Sequence, residues 1–364
     1  MYICSKFVKM KQLTIDILNR WRELKPQRDA VKDQLARKFS IEFNYNSNHI
    51  EGNTLTYGQT EILLLFGRVI GEAKMFDLEE MKAHNVGLKM VLSEAVSDNP
   101  FTETFIRQMH KILLREDYEV YRNLPGGVTT SYTVHAGCYK TRPNSVITPS
   151  GERFEYASPE ETPGLMTDLV KWYREEEAKE ELNPLELAAL FHYRYIRIHP
   201  FEDGNGRIAR LMMNFILARH DYPLIVVPTK TKRQYLEALS AVDKLVGTMP
   251  SDGANASLKQ VKAFVDYLER LMTVEMQTDM VVAEGTGGQW WYSGGWVRFD
   301  NPNVVEIINQ LISDPSLSIS ELAEILDINR SAVQKHMKFL QEKGYIIRSG
   351  ARKTGKWQVV LTKL

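Results

Sequence analysis

Hydrophobic and polar positions along the chain alternate mostly with a helical period. Leu13, Ile17, Leu18 and Trp21 recur at helical spacing between mixed charges, which predicts helix across residues 10–40. A second helical pattern ends at Ile50-Glu51, where Gly52-Asn53 can take the left-handed conformation that stops a helix. Thr56 reads as an N-cap completed by Gln59, ahead of the run Ile62 to Leu65. Helical periodicity continues to about residue 120. The turn signal Leu124-Pro125-Gly126-Gly127 then introduces a stretch from Val128 to Ile147 rich in Thr, Val, Tyr and Gly, which predicts a short hairpin. The acidic run Arg174 to Glu181 reads as a solvated helix face. Asn183, Pro184 and Glu186 open a strong helix carrying Leu187, Leu190, Phe191 and Tyr195, which stops at His199-Pro200. A further helix follows Gly204-Asn205-Gly206, with Ile208, Leu211, Met212, Phe215 and Ile216 forming a stripe that must be buried, and it has ended by Tyr222-Pro223.

Residues 285–301 are glycine-rich, contain Trp290, Trp291 and Trp296, and are expected to be a linker or a small irregular element. Residues 302–364 read as a separate unit. Its helices carry Val304, Ile307, Ile308 and Leu311; then Leu322, Ala323 and Leu326 after a cap at Ser318 or Ser320; then Val333, Met337 and Leu340 after a cap at Asn329. Two strands follow, around Tyr345 to Ile347 and Trp357 to Leu361. Three helices and a β-hairpin resemble a winged helix-turn-helix domain.

Composition narrows the function classes. The chain has 364 residues, 43% hydrophobic and 25% charged, which is ordinary for a globular protein of two or three domains. Lys plus Arg and Asp plus Glu are 46 each, so net charge gives no overall pull toward nucleic acid. The two cysteines, Cys4 and Cys138, provide neither a disulfide framework nor a cysteine metal site and fit a reducing compartment. The segment from Met1 to Lys11 has no signal-peptide pattern, and no run approaches the ~20 apolar residues of a membrane span, so a cytoplasmic protein without membrane partners is expected.

The candidate chemistry lies between the two strongest helices, in His199-Pro200-Phe201-Glu202-Asp203-Gly204-Asn205-Gly206-Arg207-Ile208-Ala209-Arg210. Free backbone N–H groups from Gly204 to Gly206 at a helix N-terminus form an anion site, and glycine lets the main chain approach a phosphate. Arg207 and Arg210 add positive charge that matches phosphate oxygens. Asp203 is a hard oxygen ligand suited to Mg²⁺ already holding phosphates, and His199 is the side chain best able to take a proton near neutral pH. Taken singly, each has a plainer reading as a turn or surface residue. Together they are the equipment for attack on phosphorus.

This segment resembles the HPFxDGNGRxxR signature of the Fic family at every specified position, and the similarity extends over much of residues 40–240. The resemblance implies a mainly α fold: a Fic helical core with a short β-hairpin flap, followed here by the winged-helix unit. It implies a protein adenylyltransferase that uses ATP and Mg²⁺ to modify a Ser, Thr or Tyr hydroxyl of a target protein. Carried over, His199 is the base, Asp203 the metal ligand, Gly204, Asn205, Gly206 and Arg207 the phosphate cradle, and Arg210 the γ-phosphate grip. Ser47-Asn48-His49-Ile50-Glu51-Gly52 resembles the family's inhibitory motif, in the class whose inhibitory helix precedes the core, so Glu51, with Ser47, is expected to draw Arg210 from the nucleotide. Gly137 to Ile147 resembles the flap that docks a target by strand addition, with Tyr139, Lys140, Val146 and Ile147 as candidate contacts; Lys140 stands where arginine is frequent. Tyr235 and Leu236 match the region lining the adenine pocket.

The expected organisation is an N-terminal helical region with the inhibitory segment over 1–110, the catalytic core over 111–284, a linker over 285–301 and the winged helix over 302–364. The last unit has nine Lys or Arg against six Asp or Glu. Arg330, Gln334, Lys335 and Lys338 lie on its candidate recognition helix, and Arg348, Arg352, Lys353 and Lys356 on its wing, so DNA is a candidate partner beside protein docking. Alternatives are a DNA-binding regulator whose core senses ATP, or a Fic enzyme that transfers another phosphate-linked group or removes AMP. A homodimer is left open.

Overall fold

The structure is a computed structural model that describes residues 10–123, 129–147, 153–284, 289–292, 295–299, 301–349 and 355–361. Among them, helices α1 Gln12–Glu23, α2 Lys25–Ala30, α3 Lys32–Ile50, α4 Tyr57–Phe66, α5 Met75–Ala95 and α6 Glu103–Leu114 come first. Strands β1 Tyr118–Asn123 and β2 Thr129–Val134 form one antiparallel pair, and β3 Val146–Ile147 and β4 Arg153–Phe154 a second. Helices α7 Thr162–Lys179, α8 Pro184–Ile198, α9 Asn205–Arg219, α10 Lys232–Val246, α11 Pro250–Ala254 and α12 Leu258–Glu284 follow. The chain continues through β5 Gln289–Tyr292, β6 Gly295–Arg298, α13 Pro302–Ser313, α14 Ile319–Leu326, α15 Arg330–Glu342, β7 Ile346–Ser349 and β8 Lys356–Val359.

Residues 10–40, expected as one helical stretch, are broken at Leu24 and Val31. Pro26 lies in the first turn of α2 and has no N–H with which to continue the ladder of α1. The other caps follow the residue pattern. Thr56 and Gln59 form a reciprocal capping box on α4, Asn183 and Glu186 one on α8, and Ser318 and Glu321 one on α14.

The chain divides into two compact units. The unit Lys38–Leu268 is built around α8 and α9, which pack on each other and whose apolar side chains from Leu185 to Leu217 are almost all buried. Phe101 links the surrounding helices, with its ring 4.8 Å from Tyr173, 5.4 Å from Phe191 and 5.1 Å from Phe215. Helices α5 and α6, assigned from sequence to an N-terminal region ending at residue 110, pack with α9 in this same unit. The division expected at residue 110 therefore does not mark a break in the packing. Because α8 delivers His199, its start matters to the site. Asn183→Ala is expected to lower stability by about 1 kcal/mol, the usual worth of an N-cap, as a shift in the urea midpoint at constant m-value.

The other unit comprises residues 10–37 and 269–361. Glu269 accepts from the Thr14 hydroxyl at 2.6 Å and from the Lys11 N–H at 2.9 Å, and the Trp21 indole donates to Asp279 at 3.0 Å. Within the stretch expected to be a linker or a small irregular element, Gln289–Tyr292 and Gly295–Arg298 pair as the antiparallel strands β5 and β6. Phe299 and Val297 pack into the cluster of Val304, Ile307, Ile308, Leu311, Leu322, Val333, Met337, Leu340, Ile346 and Trp357, so that core begins ahead of residue 302. The positive φ of Asp327, 52°, shapes the turn between α14 and α15, and β7 pairs with β8 as the wing.

Candidate active site

Helix α8 ends because His199 takes the left-handed conformation, φ 52° and ψ 61°, while its N–H still donates to Tyr195 O at 2.8 Å. Pro200 then prevents continuation. The loop is pinned from inside. Phe201 is wholly buried and stacks on His110 with ring centroids 3.8 Å apart and planes 3° apart. Asn205 folds its side chain back, accepting from Phe201 N–H at 3.0 Å and donating to Phe201 O at 2.7 Å. Gly204, at φ 76°, caps α9, and the helix starts at Asn205. Gly206 therefore lies within the first helical turn rather than ahead of it.

His110 holds the loop from α6. The Gly137 N–H donates to its Nδ1 at 2.8 Å, which leaves Nε2 to donate to Asp203 O at 3.1 Å. Burial pushes this imidazole down to about 4, so it stays neutral and keeps that pattern near neutral pH.

The chemistry-bearing side chains gather here. The Tyr156 ring stacks on His199 at 4.0 Å and 10°. Nδ1 of His199 lies 2.7 Å from Asn144 Nδ2 and 3.1 Å from Asn205 Nδ2. Burial and then the nearby Lys140 push the imidazole down to about 3, while Asp203 pulls the other way. The Asp203 carboxylate accepts from the Tyr118 hydroxyl at 2.8 Å and pairs with Arg207 at 3.3 Å. Burial opposes its charge, but Arg207, Tyr118 and the Gly204 N–H outweigh burial and hold the acid below its ordinary range. Among the described residues, no group of three or more His, Cys, Asp or Glu side chains is placed to hold a metal ion. One ionised, half-exposed carboxylate fits Mg²⁺ that brings phosphate oxygens and water as its remaining ligands.

Arg207 is almost fully buried and forms a close ion pair with Glu80 of α5 as well as its pair with Asp203. Arg210 is 1% exposed. It donates to Ser47 Oγ at 3.0 Å, to Ser47 O at 2.8 Å and to Glu51 Oε1 at 2.8 Å. A methyl group added to Gly206 would collide with the Glu51 carboxylate and stand 3.1 Å from an Arg210 nitrogen. The carboxylate thus lies against the first turn of α9, where the amide cradle and helix dipole favour negative charge. Three further contacts hold the end of α3 and the turn after it. Thr229 N–H donates to Asn46 Oδ1 at 2.8 Å, Lys232 Nζ to Ile50 O at 2.7 Å and Asn53 Nδ2 to Glu80 at 2.7 Å.

Other expectations meet a different geometry. Lys140 is 3% exposed and does not present its ammonium to an incoming chain. It donates to Ile198 O at 3.1 Å, His199 O at 2.9 Å and Asn144 Oδ1 at 2.9 Å, satisfying the carbonyl end of α8. Burial pushes its ammonium down to about 7. The Tyr139 hydroxyl is likewise engaged, donating to Glu103 at 2.7 Å. Val146 and Ile147 pair with Phe154 and Arg153, but their side chains lie outside the described residues. Tyr235 is buried, with its hydroxyl 3.1 Å from His192 Nε2, whereas Leu236 is half exposed. The structure does not bring Tyr235 and Leu236 together on one surface.

Asn144, Tyr156, Glu80, Tyr118 and His110 are absent from the sequence-derived site. A lone Asn or Glu distant in sequence carries no periodicity or spacing that would mark it.

A model of the Fic/DOC family matches residues 100–217, and a model described as winged helix-turn-helix DNA-binding matches residues 300–347. The crystal structure of a Fic domain containing signaling protein from Bacteroides thetaiotaomicron is 49% identical, covers 75% of this chain and 97% of its own, and superposes with a TM-score of 0.70. The chain belongs to the Fic family. Two curated Fic relatives share less of the sequence. The protein adenylyltransferase fic-1 of Caenorhabditis briggsae is 26% identical over 296 residues, covering 81% of this chain and 50% of the relative. That of Caenorhabditis elegans is 27% identical over 269 residues, covering 74% and 46%. The chain thus spans about half the length of the curated relatives it matches. Among the described residues, no helix is long and apolar enough to cross a membrane.

Proposed function

We propose that this chain is a protein adenylyltransferase, restrained by Glu51, that moves AMP from ATP to a Ser, Thr or Tyr hydroxyl of a target protein in the cytoplasm. The observation that carries the reading is the convergence on one loop of the His199 imidazole, the Asp203 carboxylate and the first turn of α9 with its buried Arg210. The adenylyltransferase relatives support the same chemistry. The compartment rests on cysteine usage, with the free Cys138 exposed.

In this reading the triphosphate lies along the N-terminus of α9, its negative charge facing amide N–H groups and Arg210. The target hydroxyl gives its proton to His199, its oxygen bonds to the α-phosphorus, and the bond from that phosphorus to pyrophosphate breaks. Asp203 would hold Mg²⁺, which when bound would supply charge neutralisation to the phosphates. Arg207, anchored by Glu80 and Asp203, keeps positive charge beside the leaving pyrophosphate. Glu51 occupies the cradle and the arginine that the nucleotide needs, so the state described is the restrained one.

The test is incubation of Glu51→Gly protein and cell lysate with ATP labelled at either the α- or the γ-phosphate. A protein band labelled only from the α-position is expected. A band labelled from the γ-position, or no band from either, contradicts the proposal.

A second activity is favoured by the C-terminal unit. Arg330, Gln334, Lys335 and Lys338 of α15 are all exposed, as are Arg348 and Lys356 of the wing; Arg352 and Lys353 lie outside the described residues. We propose that this face binds duplex DNA. Affinity of the full chain should fall by roughly 10²-fold or more between about 50 and 200 mM salt, because phosphate contacts release counterions. Replacing Arg330, Lys335 and Lys338 by alanine should flatten that dependence in an anisotropy titration. Absence of binding at low salt removes this activity and leaves the transferase reading intact.

A further inference from the structure

The His199 ring is gripped at one nitrogen by groups that can only donate. Both amide nitrogens, of Asn144 at 2.7 Å and of Asn205 at 3.1 Å, face Nδ1. Neither amide can be turned over. Asn205 has its oxygen on Phe201 N–H and its nitrogen on Phe201 O. Asn144 has its oxygen on the Lys140 ammonium at 2.9 Å, and its nitrogen lies 3.1 Å from His199 O and 2.7 Å from Phe201 O. Rotating it would set its oxygen against two carbonyls, His199 O and Phe201 O. Tyr156, stacked on the ring, fixes the imidazole plane.

Nδ1 is therefore an acceptor, and the single proton of the neutral ring resides on Nε2. Such a ring cannot serve as the base. Nε2 has no free electron pair, and Nδ1, which has one, is covered by two amides. The base requires the other tautomer, with the proton on Nδ1 and Nε2 free.

We propose that Asn144, the nearer donor and reinforced by the longer contact from Asn205, holds His199 in the non-basic tautomer, so that AMP transfer requires Nδ1 to be released. This is a second restraint on the same site, separate from the Glu51–Arg210 pair, and it rests on the reading of His199 as the base. Asn144 is a positioning residue. It belongs to the segment between β2 and β3, not to the α8–α9 loop, and Lys140 sets its orientation.

The decisive measurement is nitrogen NMR of the full chain labelled with ¹⁵N-histidine near neutral pH. The His199 signals are identified as those lost in His199→Ala. The expected spectrum has an unprotonated Nδ1 and a protonated Nε2. A protonated Nδ1 in the unmodified chain overturns the proposal, with no dependence on any Asn144 variant or on AMP transfer. In Asn144→Ala the nearer donor is removed, and protonated Nδ1 should gain at the expense of protonated Nε2. Added to Glu51→Gly, Asn144→Ala should also raise kcat roughly tenfold with KM for ATP unchanged, since more of the imidazole is then in the basic form. An unshifted pattern, or a shifted pattern without a gain in kcat, also overturns it. If the unmodified spectrum is as expected but His199→Ala still transfers AMP, the assignment of His199 as base fails while its tautomer stands.

Discussion

Glu51→Gly is expected to raise the rate of AMP incorporation roughly 10- to 100-fold. The carboxylate accepts a hydrogen bond from Arg210 at 2.8 Å and lies against the first turn of α9. A hydrogen bond to a charged group is worth about 1.5–3 kcal/mol, and each 1.4 kcal/mol is a factor of ten. That energy must be overcome each time the nucleotide takes Arg210, so removing it should appear in the rate. Glycine is tolerated because Glu51 follows the last residue of α3, where no helical propensity is lost. Arg210 keeps its two hydrogen bonds to Ser47, so the buried guanidinium is not left bare. Glu51→Gln should lie between the two, retaining the bulk but not the charge. Initial rates with α-labelled ATP measure the effect. A Glu51→Gly protein that binds ATP but incorporates no more label than the parent would show that the ion pair does not restrain the reaction.

His199→Ala, built on Glu51→Gly, should lower transfer by roughly 10³-fold, the middle of the range for removing a general base, while ATP affinity changes little. The separation follows from the geometry. The nucleotide elements are the first turn of α9, Asp203 and the two arginines, whereas His199 caps the preceding helix and bonds to neither Asp203 nor the arginines; it meets α9 through the Asn205 side chain, 3.1 Å from Nδ1. Calorimetry for ATP beside the transfer rate distinguishes the roles. Full transfer by the alanine variant would point to a core that senses ATP without using this imidazole.

Much of this site could be read from residue order, because its main parts are consecutive. A loop from a capped helix through His-Pro to a glycine-flanked helix start has its own local logic, and α8, α9 and the loop fold as that logic predicts. Ser47 and Glu51 were legible only through resemblance; their meeting with Arg210, 159 positions from Glu51, is a product of packing. Asn144, Glu80 and Tyr156 had no such aid, since each reaches the site from its own element by tertiary contact. Lys140 shows the opposite failure. Position in a flap suggested an outward role, but buried carbonyls at the end of α8 needed a donor, and this side chain supplies it. That Phe299 belongs to the winged-helix core could not be read from the sequence, because an aromatic beside a glycine-rich stretch has no period that marks burial.

The most direct test of the central claim is the intact mass of the acceptor protein after reaction with Glu51→Gly protein, ATP and Mg²⁺. A gain equal to one adenylate group is expected, absent when His199 is also replaced by alanine. A gain equal to a single phosphate, or an adenylate gain that survives loss of His199, would contradict it.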